Sequence, residues 1–388
     1  MIFVTNPSKQ HTPYLVQSLS REYSGKVFWL SSILYNPPFF MIKWPFFQQR
    51  KLFLVNENQM IIPAHWWLRE IILRLFLKGE LRNFVRDRLH DAWVCRLVKK
   101  YQPEVLIGSE KSCKNAFLAV KKYNGINILD LAQIHVNELE VLRDKYPFLK
   151  DEWGSPFLFN KIQHIKRLEY ELADFILVIS LKMKSSLLKA GISPKKIGSV
   201  RLGTDHNIFY PKASIKSDNQ VFKLIFVGNL SEAKGVSFLL KLMERLIDFP
   251  ISLTLIGSNA NSFRSSNHLP NIFFGGIMNQ QSIANNLRNA DVFVFPSYLD
   301  SWGMAVVEAM ACGLPVIISE HAGASELIDN KTGFILPVVE DQWITAIFSL
   351  FFNNKVRKDM GLQATVKVAS LTWEKYQADL KYNLNLIF

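Results

Sequence analysis

Two acidic residues lie eight positions apart, on either side of a glycine, in the segment VFVFPSYLDSWGMAVVEAMACGLP at residues 292–315. Asp300 follows an apolar strand, and Glu308 lies in an apolar helix that begins at Gly303. The free N–H groups and the dipole at the start of such a helix both attract a phosphate. A carboxylate one or two turns into the helix can accept hydrogen bonds from neighbouring sugar hydroxyls. The segment therefore predicts a nucleotide-sugar site.

A lysine stands at a second position suited to a phosphate. Gly228 ends an apolar strand, and Lys234 precedes Gly235 at the start of the next helix. A lysine there can meet a diphosphate as a point charge and stabilise a departing nucleoside diphosphate. Three alternatives remain open: Lys234 faces solvent, Asp300 is a turn-forming loop residue, and Glu308 caps a neighbouring backbone segment.

Short, continuously apolar runs alternate with helical stretches along the whole chain. Runs of this kind are typical of parallel strands that are covered on both faces, and the alternation occurs twice. We expect an α/β protein with one βαβ domain on each side of a polar linker at residues 212–220. The strands expected are 2–5, 27–30, 105–107, 126–129, 175–180, 224–228, 252–257, 272–274, 292–295 and 316–319.

Composition limits the class of protein. A chain of 388 residues is long enough for two domains, and its net charge of +13 favours an acidic partner. Its three cysteines are far apart, which argues against a zinc site or a disulfide framework. No apolar run is long enough to span a bilayer and no signal peptide is apparent, so we expect a cytoplasmic protein. Motifs of nicotinamide dehydrogenases, P-loop enzymes and zincins are absent.

Further motifs follow one another in a specific order. They are ADFILVIS at 173–180, VRLGTD at 200–205, FVGNLSEAKG at 226–235, the Asp300–Glu308 pair and LTWE at 371–374. In this order they resemble the retaining glycosyltransferases of family 4. The resemblance implies the GT-B fold, with two Rossmann-like, doubly wound domains facing across a cleft. It implies an acceptor-binding domain at 1–205, a nucleotide-sugar-binding domain at 206–370 and a C-terminal helix at 371–388 that crosses back to the first domain.

The resemblance also implies roles for individual residues. Lys234 meets the diphosphate, Glu308 meets the ribose hydroxyls, and Asp300 lies near the transferred sugar. The donor site it implies comprises Gly228, Asn229, Lys234, Ile277, Trp302, Gly303, Met304, Ala305 and Glu308. Gly323 and Glu326 are similar to a later glycine–glutamate turn of the family, although the simplest interpretation is a helix start on the pocket wall.

Three positions depart from the family pattern. Asn229 replaces an arginine that normally joins the lysine on the diphosphate, which either weakens donor binding or shifts that task to Arg201 or another cation. Asp300 is one methylene shorter than the usual glutamate. The first loop lacks the usual glycines, and its Lys9 and His11 are candidates for phosphate or acceptor contacts. His11 is equally a simple loop residue before a helix that Thr12 caps and Pro13 starts.

In the first domain, Asp130 and His135 follow the strand that ends at residue 129. Family members often have a histidine or an acid at this strand end, near the sugar, and the two residues are candidates for a proton relay. Glu110, after the preceding strand, is a weaker candidate. A structural role for His135 remains open.

An insert at residues 36–100 is rich in aromatic and basic residues. Arg74, Lys78, Arg82 and Arg86 recur every fourth residue, which on one helix gives a basic stripe. The apolar neighbours of the stripe are Ile71, Ile72, Leu75, Phe76 and Leu81. The insert is either a solvated helix face or a surface for anionic lipid headgroups and a lipid-linked acceptor.

The sequence thus predicts a retaining transferase that moves a sugar from a UDP-, GDP- or ADP-sugar to a glycan or lipid-linked acceptor. Bacterial surface polysaccharide synthesis is the expected setting, on the inner face of the membrane. No cofactor, metal or nucleic acid is expected. Two alternatives remain: a sugar-nucleotide epimerase of the same fold, and a scaffold that binds the donor without turnover.

Overall fold

The structure is a computed structural model that describes residues 1–7, 11–31, 60–63, 66–149, 154–212, 221–265 and 267–387, without the side chain of residue 67. Lys9, residues 36–59 of the insert and most of the predicted linker lie outside these ranges. The chain divides into two compact units. The N-terminal unit comprises Met1–Ile179, Lys184–Val200 and Gln377–Phe388, and the C-terminal unit comprises Ser180–Met183 and Arg201–Tyr376. The main change from the N-terminal to the C-terminal unit thus falls after residue 200, where the sequence predicts residue 205. The return to the N-terminal unit falls after residue 376, where the sequence predicts residue 370.

The N-terminal unit is built on a parallel sheet with the strand order β3-β2-β1-β4-β5-β6-β7. Its strands are β1 (Ile2–Asn6), β2 (Val27–Ser31), β3 (Met60–Ile61), β4 (Val105–Ser109), β5 (Ile126–Asp130), β6 (Phe175–Val178) and β7 (Ile197–Ser199). Every residue of β1 and β4 is buried, as expected for strands that helices cover on both faces. The order reverses between β1 and β4.

The C-terminal unit is built on a second parallel sheet with the strand order β10-β9-β8-β11-β12-β13. Its strands are β8 (Phe222–Val227), β9 (Ile251–Ile256), β10 (Ile272–Gly276), β11 (Val292–Phe295), β12 (Val316–Ser319) and β13 (Gly333–Leu336). Here the order reverses between β8 and β11. The α/β class and all ten predicted strands are confirmed, whereas β3, β7 and β13 were not predicted.

Helices connect the strands. They are α1 (Thr12–Glu22), α2 (Trp66–Phe76), α3 (Gly79–Tyr101), α4 (Lys114–Lys121), α5 (Val136–Lys145), α6 (Pro156–Leu172), α7 (Leu181–Lys189), α8 (Val236–Arg245), α9 (Ala260–Arg264), α10 (Gln280–Asn289), α11 (Met304–Ala311), α12 (Glu340–Phe352), α13 (Asn354–Val368) and α14 (Trp373–Leu384). Short 3₁₀ helices cover Pro194–Lys196, Glu232–Lys234 and Gly323–Leu327. Among the helices described, none is both long enough and apolar enough to cross a membrane.

The predicted basic stripe on a single helix is wrong. Helix α2 ends at Phe76, Lys78 is extended with φ −125° and ψ 160°, and α3 begins at Gly79 with φ +55°. A spacing of four residues aligns side chains only along a continuous helix, and this break interrupts it. Arg74 therefore lies on one helix, whereas Arg82 and Arg86 lie on the next.

Candidate functional site

The candidate donor residues follow the two strands at which the second sheet reverses its order. Gly228 and Asn229 follow β8, and Asp300 follows β11. In doubly wound sheets, ligands bind at the carboxyl ends of the strands where the order reverses. The topology of the C-terminal unit therefore supports the position predicted for the donor site.

Lys234 and Asp300 form an ion pair in this region. Lys234 Nζ lies 2.5 Å from Asp300 Oδ2 and donates a second hydrogen bond of 3.0 Å to the carbonyl oxygen of Leu299. Asp300 Oδ1 accepts a 2.9 Å hydrogen bond from the backbone N–H of Trp302. The Asp300 backbone is also fixed, because its carbonyl oxygen accepts the N–H of Gly323 at 2.8 Å. The lysine is thus held against the loop that precedes α11.

Helix α11 begins immediately after this loop. Gly303 precedes it with φ +91°, and no described side chain caps the helix. Met304 and Ala305 form its first turn. The first N–H groups of a helix have no partner within the helix, and the dipole makes this end attractive to anions. An uncapped helix start beside a lysine is suited to binding a phosphate group.

Glu308 lies one turn further along the same helix. Burial raises the pKa of its carboxyl group to about 8. No side chain or backbone N–H in the described ranges donates a hydrogen bond to this carboxyl group, and no cation pairs with it. The Glu308 side chain is only half-buried, so its carboxyl group is accessible to a ligand and does not act as a structural cap.

Gly228 and Asn229 pack against the loop after β9. A Cβ atom on Gly257 would lie 1.6 Å from the Gly228 carbonyl oxygen, so only glycine fits at 257. Asn229 Oδ1 accepts hydrogen bonds from Ser258 Oγ at 2.6 Å and from Asn259 Nδ2 at 3.0 Å. Asn229 therefore joins two loops. Ile277, which follows β10, is 60% exposed.

Arg201, a candidate to replace the missing arginine, has a carboxylate partner. Its Nε lies 2.9 Å from Glu326 Oε1, and the backbone N–H of Leu181 donates to Glu326 Oε2 at 2.5 Å. Glu326 belongs to the 3₁₀ helix Gly323–Leu327. Its carboxylate thus connects three segments of the C-terminal unit, and the Arg201 guanidinium is already engaged there.

In the N-terminal unit, the structure brings Asp130 together with His11. Asp130 ends β5, and its Oδ1 lies 3.1 Å from His11 Nε2, with both side chains largely buried. Burial lowers the pKa of His11, but the charge of Asp130 and the hydrogen bond outweigh burial, so the pKa is raised above 6.5. His11 is also the N-cap residue of α1, so the prediction that Thr12 caps this helix is wrong. Thr12 is the first helical residue, and its hydroxyl accepts from Asn6 Nδ2 at 2.8 Å.

His135 occupies a separate position, as the N-cap of α5. Its Nδ1 accepts a 3.3 Å hydrogen bond from the backbone N–H of Asn137, and its ring lies 4.9 Å from that of Tyr170. Burial, followed by the charges of Lys166 and Arg167, lowers its pKa to about 4. Within the described chain, the hydrogen-bond partner of Asp130 is His11 rather than His135.

Glu110 belongs to a buried polar network. Its Oε1 accepts from the Tyr170 hydroxyl at 2.6 Å and lies 3.0 Å from Lys166 Nζ. Glu169, on the same helix as Lys166, accepts the backbone N–H groups of Lys111 and Cys113 at 2.7 and 3.0 Å. Burial raises the pKa of Glu169 to about 7. Sequence reasoning missed this network, because residues some 60 positions apart give no local signal.

Among the residues that the structure describes, no group of three or more His, Cys, Asp or Glu side chains is placed to hold a metal ion.

Comparison with known proteins finds a family match within the C-terminal unit. The family model "Glycosyl transferases group 1" matches residues 211–367. A D-inositol 3-phosphate glycosyltransferase of Paenarthrobacter aurescens (strain TC1) is 28% identical over 196 residues, which is 45% of this chain and 48% of that protein. The chain spans about half the length of the curated relatives of this kind.

Solved structures resemble the chain over its whole length. Sucrose-phosphate synthase from Thermosynechococcus elongatus gives a TM-score of 0.70 at 17% identity, covering 100% of this chain and 98% of that one. Anabaena HepE in complex with UDP and glucose gives a TM-score of 0.68 at 14% identity, covering 99% of each chain. Residues 211–367 thus match the family model of the glycosyl transferases group 1, and the chain shares the fold of the GT-B glycosyltransferases.

Proposed function

We propose that this protein is a retaining glycosyltransferase that uses a nucleotide-sugar donor. The observation that carries the proposal is the uncapped start of α11, with Lys234 beside it and Glu308 one turn further on, at the strand reversal of the C-terminal unit. A cation and a helix N-terminus suit a diphosphate, and a carboxyl group without a protein partner suits ribose hydroxyls. The three groups together match one nucleotide sugar.

In the proposed reaction, the acceptor hydroxyl attacks the anomeric carbon from the face on which the diphosphate leaves. The bond from the anomeric carbon to the diphosphate oxygen breaks, and a bond to the acceptor oxygen forms. The acceptor proton passes to a diphosphate oxygen. Lys234 and the first N–H groups of α11 stabilise the negative charge that develops on the leaving group. The proposal keeps the expectation that protein groups, rather than a metal, hold the diphosphate.

The N-terminal unit is assigned to the acceptor. Asp130 lies at the carboxyl end of β5, the sheet edge at which ligands of doubly wound folds bind. His11, held by Asp130, is placed at the same edge. His135 remains a candidate for a proton relay, although its Nδ1 is engaged as a helix cap. These residues would contact the acceptor.

A membrane-linked acceptor is supported by the outer face of α2. Its exposed apolar residues are Leu68 (45%), Ile71 (43%), Ile72 (48%), Leu75 (72%) and Phe76 (78%). Their spacing places them on one face of the helix, while Trp66 and Leu73 on the other face are buried. A helix that exposes its apolar face beside Arg74 and Lys78 suits the interface of an anionic membrane. We therefore assign the acceptor to the lipid-linked glycans of bacterial surface polysaccharide synthesis.

The membrane assignment is tested by flotation with anionic vesicles. Leu75→Ser combined with Phe76→Ser should reduce the bound fraction severalfold, because both side chains are largely exposed on the apolar face. The control is Val141→Ser combined with Phe157→Ser, two residues of the same unit that are 63% and 77% exposed. Equal binding by both double variants would remove the membrane from the proposal.

The enzymatic assignment is tested by release of nucleoside diphosphate from a panel of UDP-, GDP- and ADP-sugars, with and without membrane extract. UDP-glucose is tested first, because HepE binds UDP and glucose. Release that depends on one donor and rises with extract supports a transferase. Conversion of the donor sugar without any acceptor would favour an epimerase. Tight donor binding without turnover would favour a scaffold.

A further inference from the structure

A cavity of about 120 Å³ lies within the N-terminal unit, apart from the residues assigned so far. Its polar lining comes from Glu80, Lys111, Gln133 and Gln163. Lys111 follows the end of β4 by two residues, and Gln133 follows the end of β5 by three. These strands are neighbours, and β4 is one of the two strands at which the sheet reverses its order. The cavity therefore opens from the sheet edge at which doubly wound folds bind ligands.

Gln163 is the residue that most needs a partner. It lies on α6, its side chain is only 4% exposed, and it lines the cavity. Its Oε1 atom is fully buried and has no hydrogen-bond partner in the described chain. A buried amide oxygen without a partner costs about 1–3 kcal/mol, so such groups normally have a partner such as water or a ligand. This atom points to a polar occupant of the cavity.

The charges around the cavity balance each other. Lys111 Nζ lies 3.3 Å from Glu80 Oε1, with both side chains less than one-third exposed. The backbone N–H of Lys111 donates a hydrogen bond to Glu169 Oε2 at 2.7 Å, and this bond fixes the loop that carries Lys111. The polar lining consists of one lysine and one glutamate that pair with each other, and of two amide side chains. Such a lining has no net charge that would favour the binding of a cation or an anion. Groups that both donate and accept hydrogen bonds suit this lining best, and hydroxyl groups do so.

The remaining wall is apolar, from Leu139, Phe159 and Ile162. A volume of 120 Å³ corresponds to about four water molecules, at roughly 30 Å³ each. It is therefore too small for a glycan chain, and of the right order for the hydroxyl-bearing part of one sugar, whose C–H groups would contact the apolar wall. Few polar groups placed on an apolar wall are typical of small-molecule sites.

We propose that this cavity binds one neutral, hydroxyl-rich sugar residue of the acceptor, with Gln163 and the Glu80–Lys111 pair as its hydrogen-bonding groups. The inference rests on the proposed transferase function and adds the chemistry of its acceptor. Gln163 would then determine specificity for the acceptor, and it lies on α6, a helix that contains none of the donor motifs.

The test uses the full chain and methyl glycosides of glucose, galactose, mannose and N-acetylglucosamine as probes, with binding observed by saturation-transfer NMR. At least one glycoside should bind. Gln163→Leu should weaken that binding about tenfold, the equivalent of one hydrogen bond at about 1.4 kcal/mol. Glu80→Gln, at the partly exposed side of the cavity, is the second variant and should also weaken it. Gln281→Leu, on an exposed face of the C-terminal unit, is the matched control and should bind as the wild type does.

Donor binding is measured on the same variants by calorimetry with UDP, GDP and ADP. Unchanged nucleoside diphosphate binding with weaker glycoside binding supports the inference. Nucleoside diphosphate binding without any glycoside binding, or glycoside binding that neither cavity variant alters, would overturn the inference and leave the donor site intact. Absence of nucleoside diphosphate binding in the wild type would instead contradict the proposed function itself.

Discussion

Lys234 and Asp300, 66 positions apart, neutralise each other at the start of α11. The ammonium group has three donors, and two are used, by Asp300 Oδ2 and by the carbonyl oxygen of Leu299. One donor therefore remains for a phosphate oxygen. Because Asp300 also accepts the N–H of Trp302, the same carboxylate positions the lysine and the turn before the helix. Asp300, the acid expected near the transferred sugar, therefore also positions Lys234, the cation expected to meet the diphosphate.

Replacement of this lysine should reduce turnover far more than donor binding. Lys234→Met removes a positive charge from the site at which the leaving group becomes negative, and loss of one such group typically costs about 10²–10³ in kcat. Initial rates of nucleoside diphosphate release measure the effect. Lys241→Met, at an exposed position on α8, is the control. A loss no larger than that of the control would mean that Lys234 is structural only.

Replacement of Glu308 by glutamine should raise KM for the donor and lower kcat little. Above about pH 8, where the Glu308 carboxyl group is ionised, it is expected to accept hydrogen bonds from both ribose hydroxyls, whereas an amide has only one oxygen to offer. Hydrogen bonds to charged groups contribute about 1.5–3 kcal/mol, so KM should rise about tenfold or more. Donor titrations above pH 8 measure this rise in KM, and a donor with 2′-deoxyribose in place of ribose is the matched substrate. If replacing the ribose donor by the 2′-deoxyribose donor raises KM by the same factor in the wild type and in Glu308→Gln, Glu308 does not contact the ribose.

The same substitution should stabilise the protein without donor, increasingly so as pH rises. Burial raises the pKa of Glu308 from 4.5 to about 8, so the folded state holds a proton that the unfolded state has lost between these values. The stability of the wild type therefore decreases as pH rises from 4.5 to about 8, whereas that of Glu308→Gln does not, because glutamine does not titrate. Thermal unfolding of both proteins should coincide near pH 4.5 and separate up to about pH 8. If the difference in melting temperature between the two proteins were the same at every pH from 4.5 to about 8, the raised pKa of Glu308 would be contradicted.

Gly303→Ala should impair donor binding beyond its effect on stability. Gly303 has φ +91°, and a Cβ atom there would lie 3.2 Å from Val306 Cγ2. A left-handed conformation costs a non-glycine residue about 1–2 kcal/mol. Gly191→Ala is a matched control, since its φ is +83° and nothing in the described chain lies within 4 Å of its added Cβ. Both variants should lose similar stability by chemical denaturation, and only Gly303→Ala should lose donor affinity.

Much of the fold could be predicted because its signals are local. The central strands are apolar on both faces, so β1, β4, β8 and β11 stand out in the sequence. The outermost strands β3 and β13 escaped notice because they are short and only partly buried. The break between α2 and α3 was not predicted because an apolar and basic pattern continues across it, and only Gly79, the first residue of α3, marks it.

The site could be predicted only in part, for a related physical reason. Gly303, Glu308 and Lys234 are placed by a strand, a turn and a helix start, all readable from neighbouring residues. The partners of these groups are not local. The pairings Lys234–Asp300, Arg201–Glu326 and His11–Asp130 join positions 66, 125 and 119 residues apart. Strand order brings such residues together, and one sequence contains no direct signal of it.

The pair His11–Asp130 should make stability fall as pH rises, in the same sense as Glu308 but only above pH 6.5. Asp130 raises the pKa of His11 above 6.5, so its contribution is complete below pH 6.5 and is lost as pH rises through the raised value. Asp130→Asn should therefore destabilise the protein more at about pH 5.5 than at about pH 9. Urea unfolding at the two pH values measures the difference, and the His11 ring proton in NMR should titrate at lower pH in the variant. Asp174→Asn, which removes the partly exposed partner of Lys121, is the control, because lysine keeps its charge across this range. If the loss at alkaline pH equals that at acidic pH, the two side chains are joined by a neutral hydrogen bond rather than by an ion pair.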